Sequence, residues 1–301
     1  MPSRLIRPGL VGALLLALTA PLAGQVPECV CRTTDEGLDS AYIAEVEEAR
    51  HPPKVLHAEP IYIDLFRDLG ARRGEAEWNA AIGLTDRLDY DAYELLVEYE
   101  FVPIDRLGLE IELPATLYRG RGGQEPVPSD RIESLKLGAQ WTFLVSPRAA
   151  TSLALGYLNE LKFADLDRWG EDPLFSGNKF NPFVVAAKRW GRNFHTLLYT
   201  GPVKTIVFDG PDEPFAWEAN WNFHYMLPGT RNFLGVELNQ RFSEGDFDMV
   251  IRPQMRIGID EHLLIGIATA IPVDRQNEGL GIFMRIIWEP GHALPDAVVK
   301  H

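Results

Sequence analysis

The sequence predicts an all-β protein: a transmembrane, antiparallel, up-and-down β-barrel of about twelve strands, preceded by a short helical or irregular segment. Three observations carry this expectation. An export leader opens the chain, residues 74–290 alternate between apolar and polar positions with a period of two, and the links between alternating runs are by turns short and long. The clearest stretch is 90–118. Tyr93, Leu95, Val97, Tyr99 and Phe101 form the apolar face of one arm, and Leu107, Leu109, Ile111, Leu113, Ala115 and Leu117 that of the other. Side chains on a strand point to opposite faces in turn, so the other side of this hairpin carries Glu94, Glu98, Glu100, Glu110 and Glu112. A soluble sandwich would bury the apolar side against a second sheet; a membrane barrel turns it to lipid and keeps the glutamates inside.

Residues 1–24 read as a cleaved signal peptide. Arg4 and Arg7 supply the charged start, residues 11–23 the short apolar core, and Ala20, Ala23 and Gly24 the small-residue end. That core is shorter than the roughly 20 apolar residues a membrane helix needs, and no later run approaches that length. An exported chain that stays in a membrane must then cross it with strands, which makes the bacterial outer membrane the expected location. The chain has a formal net charge of -14, or -16 once Arg4 and Arg7 leave (-14 minus 2). Such a chain does not suit nucleic acid, whose phosphates need Lys and Arg. Outer-membrane lipid and small solutes or ions are the expected partners, with no cofactor. Cys29 and Cys31 are the only cysteines, too few for a disulfide framework or a four-ligand zinc site.

Residues 25–73 alternate little and are rich in Asp, Glu and Pro, which reads as an N-terminal periplasmic or plug-like segment. A short helix is expected over 41–50, with Glu45, Glu47 and Glu48 on its wet side. A second is expected after Pro60, where Ile61, Leu65 and Leu69 recur at helical spacing and Gly70 supplies a stop. Two placements suit this second helix equally, across one barrel mouth or packed on the sheet edge.

The strands follow in order. The first, 75–84, sets Trp78, Ala80, Ile82 and Leu84 against Glu75, Glu77, Asn79 and Gly83, and the second and third are the hairpin above. The fourth, 132–144, sets Leu135, Leu137, Ala139, Trp141 and Phe143 against Lys136, Gly138, Gln140 and Thr142; the fifth, 151–163, sets Leu153, Leu155 and Tyr157 against Ala154, Gly156 and Glu160. The sixth, 179–190, and seventh, 193–203, alternate least regularly. In the eighth, Trp217, Ala219, Trp221, Phe223 and Tyr225 oppose Glu218, Asn220, Asn222 and His224. The ninth, 232–242, and tenth, 247–259, form a second hairpin about Glu244-Gly245, a dipeptide suited to a two-residue turn. Pairing about that turn sets Arg241 opposite Asp248, Asn239 opposite Val250 and Glu237 opposite Arg252. The eleventh, 262–271, is almost wholly apolar, with small Gly266, Ala268 and Ala270 on one face, and the twelfth, 279–288, presents Leu280, Ile282, Met284, Ile286 and Trp288. Residues 291–301 are left as a tail.

The links at 102–105, 146–148, 191–192, 228–231 and 260–261 are short, and those at 119–130, 164–177, 204–212 and 272–277 are longer; 85–89 and 243–246 break the contrast. Outer-membrane barrels show this parity, with short periplasmic turns and longer outer loops. Tyr93, Tyr99, Phe101, Trp141, Trp190, Trp217, Trp221, Tyr225 and Trp288 are available for interfacial girdles. On these residues the span 57–288 resembles bacterial outer-membrane β-barrel proteins. The stretch from His57-Ala58-Glu59-Pro60 through Asp64 and Arg67-Asp68-Leu69-Gly70-Ala71 to Glu77-Trp78-Asn79 is similar to an uncharacterised group of such barrels. The resemblance implies location and architecture and brings no catalytic residues.

Twelve-stranded barrels include outer-membrane phospholipases, which need a His-x-Ser pair. His195-Thr196-Leu197 and His224-Tyr225-Met226 both lack the serine, and no G-x-S-x-G, H-E-x-x-H or phosphate loop is present. No enzyme is expected. Glu110 and Glu112 share a face about 7 Å apart, a spacing open to acid-base work but far commoner in lumen lining. His57 with Glu59, and His224 with Glu218, are weak metal candidates, and no metal is assigned. The expected lumen lining is the five glutamates of the first hairpin with Lys136, Glu218, Asn220, Asn222, His224, Glu237, Arg252, Gln254, Arg256 and Arg285. Small residues at Gly108, Gly138, Gly156, Gly266, Ala268, Ala270, Gly279 and Gly281 leave room inside.

A porin-like channel or transporter for small solutes is therefore favoured. The alternative is a closed barrel with a structural, sensing or assembly role, its lumen filled by side chains or by the N-terminal segment; an outer-membrane enzyme comes third. The odd spacing of the first hairpin's turn permits Glu98 opposite Glu110, or Glu98 opposite Glu112 with Glu100 opposite Glu110, and either register stacks like charges. Lys136, Arg252, Arg256 and Arg285 are expected to face that acidic wall, unless Arg72 and Arg73 of the N-terminal segment reach it first.

Overall fold

Alternation makes the wall. In the computed structural model, which describes residues 34–48, 52–63, 65–122, 126–170, 173–276 and 278–290, each period-two run is a strand. The expected signal peptide, Cys29, Cys31, Asp64 and the expected tail 291–301 lie outside the described residues. The strands are β1 (Ala76–Asp86), β2 (Tyr90–Ile104), β3 (Leu107–Gly120), β4 (Arg131–Ile132), β5 (Ser134–Ser146), β6 (Thr151–Phe163), β7 (Phe175–Trp190), β8 (Phe194–Val207), β9 (Ala216–Met226), β10 (Phe233–Ser243), β11 (Asp246–Gly258), β12 (Leu263–Pro272) and β13 (Gly281–Trp288). Strand β4 is a two-residue piece that pairs with β3 just ahead of β5, so these two make one interrupted stave of a closed 12-strand barrel. Sequence neighbours pair antiparallel, and β1 pairs with β13 to close the wall.

Both expected hairpin registers can now be read off. Across β10 and β11, Arg241 stands opposite Asp248, Asn239 opposite Val250 and Glu237 opposite Arg252. The turn residues Glu244 and Gly245 have φ of 42° and 90°, the paired positive values of a type I′ turn, whose twist matches that of the strands. Across β2 and β3 the second of the two permitted registers holds, with Glu98 opposite Glu112 and Glu100 opposite Glu110; a bulge between Phe101 and Ile104 absorbs the odd spacing.

The apolar face points outward. Val97, Ile111, Leu113, Leu137, Leu155, Val184, Ile282 and Ile286 are exposed on it, as a lipid-facing band requires. Aromatic side chains flank the band. Towards the short-turn end Trp78 packs on Tyr99 with ring centroids 4.5 Å apart, and Trp141, Trp190, Tyr225 and Trp288 are exposed. Towards the other end Phe163 stacks on Phe175 at 5.2 Å and Phe242 packs on Phe247 at 4.9 Å, with Trp217 exposed nearby. Trp221 lies between the two groups, midway along β9. We call the short-turn end the near mouth and the opposite end the far mouth.

The N-terminal segment departs from expectation. A helix is present, but it is α1 (Asp35–Glu48), starting ahead of the expected 41–50; Thr34 caps it, its Oγ1 accepting from the Gly37 N–H at 3.3 Å. Glu47 is not on a wet side: it binds Arg189 at 2.6 Å and accepts from the Leu56 N–H at 2.9 Å. Asp39 accepts from Asn193 at 3.1 Å and from the Gly229 N–H at 2.9 Å, which seats α1 on the turns of the near mouth. The expected second helix is absent. Residues 61–63 and 65–71 are bends, turns and irregular chain, and they neither cap a mouth nor lie on a sheet edge. They run inside the barrel, where Val55, Ala58, Ile61, Leu65, Phe66, Leu69 and Ala71 are buried. The helical spacing of Ile61, Leu65 and Leu69 arises because the buried loop offers each to the wall, Ile61 to one apolar cluster and Leu65 and Leu69 to another.

Candidate functional site

An irregular backbone inside a barrel loses the hydrogen bonds of a helix or sheet, and its buried N–H and C=O groups need other partners. The inward polar residues of the wall supply them. The Ala58 N–H donates to His195 Nδ1 at 3.1 Å, Ile61 to Gln254 Oε1 at 2.8 Å, Ile63 to Glu237 at 3.0 Å and Gly70 to Thr142 Oγ1 at 3.1 Å. In return Gln140 Nε2 donates to the Arg67 carbonyl at 2.7 Å. Four wall strands on different sides of the lumen thus grip one loop.

Charge fixes the same loop at its base. Arg67, 1% exposed, donates to Glu77 of β1 and lies 3.7 Å from Glu100 of β2. Lys54 bridges Asp68 and, at 3.3 Å, Glu75, which ties the loop's entry to its exit. Burial opposes the Lys54 charge, but Asp68 and Glu75 outweigh it and raise the ammonium's pKa. Glu59 and Asp68 share a hydrogen bond. Burial raises the Glu59 carboxyl well above its ordinary range, so it keeps the proton, while Lys54 and Arg67 overcome the burial of Asp68 and hold it ionised. Glu59 also lies 3.6 Å from Arg256. His57 is bonded to Ser152 at 3.0 Å; burial, then His195 and Arg189, push its imidazole down to about 3. The weak metal pairings dissolve in this arrangement: His57 meets Ser152 and Glu59 meets Arg256, while His224 meets Gln254 at 2.9 Å and Glu218 meets Arg241 at 2.9 Å.

The room left by small residues is filled. A Cβ on Gly138 would lie 2.6 Å from the Phe66 ring, one on Gly266 2.6 Å from Ile61, and one on Gly108 2.4 Å from the Phe66 carbonyl. Phe66 in turn packs edge-on against Phe183 at 5.2 Å, and the Phe183 ring fills the space at Gly156.

Beyond the loop a cavity of about 730 Å³ remains, floored by Tyr62, Ile63 and Phe66 and reaching the far mouth at Arg87, Tyr118 and Arg131. The expected lumen residues divide between these two regions. Glu94, Glu98, Glu110, Glu112, Lys136, Glu218, Asn220, Arg252 and Arg285 line the cavity. Glu100, Asn222, His224, Glu237, Gln254 and Arg256 are buried in the wall elsewhere, and of these Glu100, Glu237, Gln254 and Arg256 meet the loop directly.

The expected field is corrected in its cations. Arg285 lies 3.4 Å from Glu98, and Lys136 bonds Glu112 at 2.7 Å. Arg252 instead lies over the Tyr62 ring at 3.4 Å and donates to Asn239 at 2.7 Å, and Arg256 turns to Glu59 and the Phe233 ring. The segment's own contribution is Arg67, whereas Arg72 donates to the Pro52 carbonyl at 3.1 Å and the Arg73 N–H to Asp105 at 2.8 Å. Arg67, Lys54 and Asp68 carry the site's central pairs and were not singled out as site residues. The dipeptide Arg67-Asp68 inside an otherwise apolar stretch is the signal that could have found them.

The COG4313 outer membrane channel from Pseudomonas putida F1 has a similar fold, with a TM-score of 0.61 at 12% sequence identity, over 74% of this chain and 98% of that one. The KdgM porin aligns with a TM-score of 0.48 at 11% identity, over 70% of this chain and 98% of that one. The first likeness shows the outer-membrane barrel fold. No curated protein matches the chain in sequence. Residues 53–289 match the HAEPLYID-like family, whose name spells the string that this chain carries over residues 57–64 with Ile61 in the fifth place. Residues 57–63 of that string lie at the heart of the buried loop, and the chain belongs to the HAEPLYID-like family.

Proposed function

We propose that the protein is a porin-like outer-membrane channel for small solutes, and not an enzyme, whose near half is stoppered by its own residues 54–63 and 65–71. The observation that carries this reading is the cavity of about 730 Å³, lined by charges of both signs, reaching the far mouth and ending on Tyr62, Ile63 and Phe66. Solutes enter this vestibule from the outer face, and passage requires the loop to move. The near mouth, where the chain enters β1 and leaves β13, faces the periplasm, as the even stave count and an exported N-terminus imply. The chain named as a channel in the similar solved structure supports the same reading. A closed structural barrel is the competing reading, favoured by the same loop.

Planar-bilayer recordings separate the two. The refolded full-length chain is expected to show rare openings, and a chain lacking the residues before Gly74, or a full-length Arg67→Ala chain, a larger and steadier conductance. A silent bilayer with all three would favour the closed barrel.

A further inference from the structure

Glu98 and Glu112 stand directly opposite each other on β2 and β3, and Glu100 and Glu110 do the same one pair nearer the turn. The backbone ladder fixes these positions, so like charges cannot drift apart as they would on a loop. Three of the four have a cation. Arg67 lies 3.7 Å from Glu100, Arg285 lies 3.4 Å from Glu98, and Lys136 bonds Glu112 at 2.7 Å while also facing Glu160.

Glu110 differs. It is 3% exposed, its Oε1 has no hydrogen-bond partner, and the charges acting on it most strongly are those of Glu98 and Glu112, ahead of Lys136. A buried acceptor left in that position is costly unless something meets it. One carboxylate oxygen each from Glu98, Glu110 and Glu112 lies within 4.8 Å of the other two. Three oxygens spread evenly about one calcium ion at about 2.3–2.6 Å are about 4.0–4.5 Å apart, so small side-chain rotations bring the trio onto one ion without moving the backbone. All three line the cavity, which gives water room to complete the shell. The donors are carboxylates only, with no His or Cys, which suits a hard ion over a soft one.

We propose that Glu98, Glu110 and Glu112 bind a hard divalent cation, of the calcium class, on the wall of the vestibule. The ion settles the charge that Arg285 and Lys136 leave on the trio, and it pins β2 to β3 from the lumen side. The inference does not depend on conduction, so its test and the bilayer test fail separately.

The test uses the refolded full-length chain in non-ionic detergent without phosphate, with terbium as a luminescent calcium stand-in and calcium as competitor. Saturable binding of about one terbium per barrel, displaced by calcium, is expected, together with a calcium-dependent rise in the temperature at which the folded gel band is lost. Glu110→Gln is expected to weaken binding at least tenfold, and Glu244→Gln, on an outer turn, to leave it unchanged. Should Glu110→Gln fail to refold, Glu98→Gln makes the same comparison. The proposal is overturned by a wild-type chain that binds neither ion saturably, or by unchanged affinity in the Glu110 and Glu98 variants. A Glu110→Gln chain that is more heat-resistant, beside a wild type with no metal response, would assign the trio to a shared proton and overturn it too.

Discussion

Arg67 of the lumenal loop donates to the Glu77 carboxylate of β1, and both side chains are cut off from water, at 1% and 8% exposure. Taking two charges out of water costs several kcal/mol, and a pair so placed is worth most when its removal is considered one partner at a time. Arg67→Ala leaves Glu77 and Glu100 facing each other with no counter-ion, and is expected to cost about 3–5 kcal/mol in urea unfolding. The same variant should expose the loop to added protease. A stability loss below about 1 kcal/mol, the range of a surface pair, would show that the ion pair does not hold the loop.

Acid should loosen the loop through His57. Its folded pKa of about 3 lies below the ordinary 6.5, so the unfolded chain takes up a proton first as pH falls. Stability is then full above pH 6.5 and is lost between 6.5 and 3, by about 1.4 kcal/mol per unit at most. Asp68, held ionised by Lys54 and Arg67, contributes fully down to the ordinary Asp range, near pH 4, and loses its share below that. Glu59 works in the opposite sense, since its retained proton costs stability as pH rises above about 4.3. Unfolding midpoints between pH 7.5 and 4.5 should therefore slope for the wild type and slope less for His57→Gln, which keeps a hydrogen-bonding group near Ser152 without titrating. Parallel curves would assign the slope elsewhere.

Glycine to alanine at the loop's contact points should grade with what the new methyl meets. At Gly108 it meets the Phe66 carbonyl, a backbone atom that cannot rotate away, whereas at Gly266 it meets side-chain carbons only, Cδ1 of Ile61 at 2.6 Å and its Cγ2 at 2.8 Å. Gly108→Ala is expected to cost about 1–3 kcal/mol and Gly266→Ala distinctly less. Equal midpoints for the two would mean that the loop gives way as easily as a side chain.

Arg252 and Arg256 should separate in recordings. Arg252 lines the cavity, so Arg252→Glu is expected to shift the reversal potential in a salt gradient towards cation selectivity. Arg256 faces Glu59 and Phe233, so Arg256→Glu should alter open probability and midpoint with little change in selectivity. Identical selectivity shifts would place both arginines in the ion path.

The wall was legible because period-two alternation and turn chemistry are local. Trp78, Ala80 and Ile82 show their face in the sequence itself, and Glu244-Gly245 fixes a register that sets Glu237 opposite Arg252, seven residues along each strand from the turn. The loop was not legible, because nothing local distinguishes Ile61, Leu65 and Leu69 on a helix from the same residues on a loop whose Ile61, Ile63 and Gly70 N–H groups are held by Gln254, Glu237 and Thr142, which lie far along the chain. The alternation shows inward residues as polar, but it does not show what they bind. For Gln140, Thr142, His195, Glu237 and Gln254 the partner is backbone.

The two ends of the loop sit side by side. Lys54 reaches Glu75, and Arg72 donates to the Pro52 carbonyl, all at the near mouth. The chain therefore goes in and comes out by one door, as a folded finger and not as a thread drawn through a ring. No terminus has to travel through the barrel for it to leave, and the first strand keeps it tethered at the threshold for its return. Clearing the lumen by the proposed movement of the loop would, in this geometry, require no rung of the wall to break.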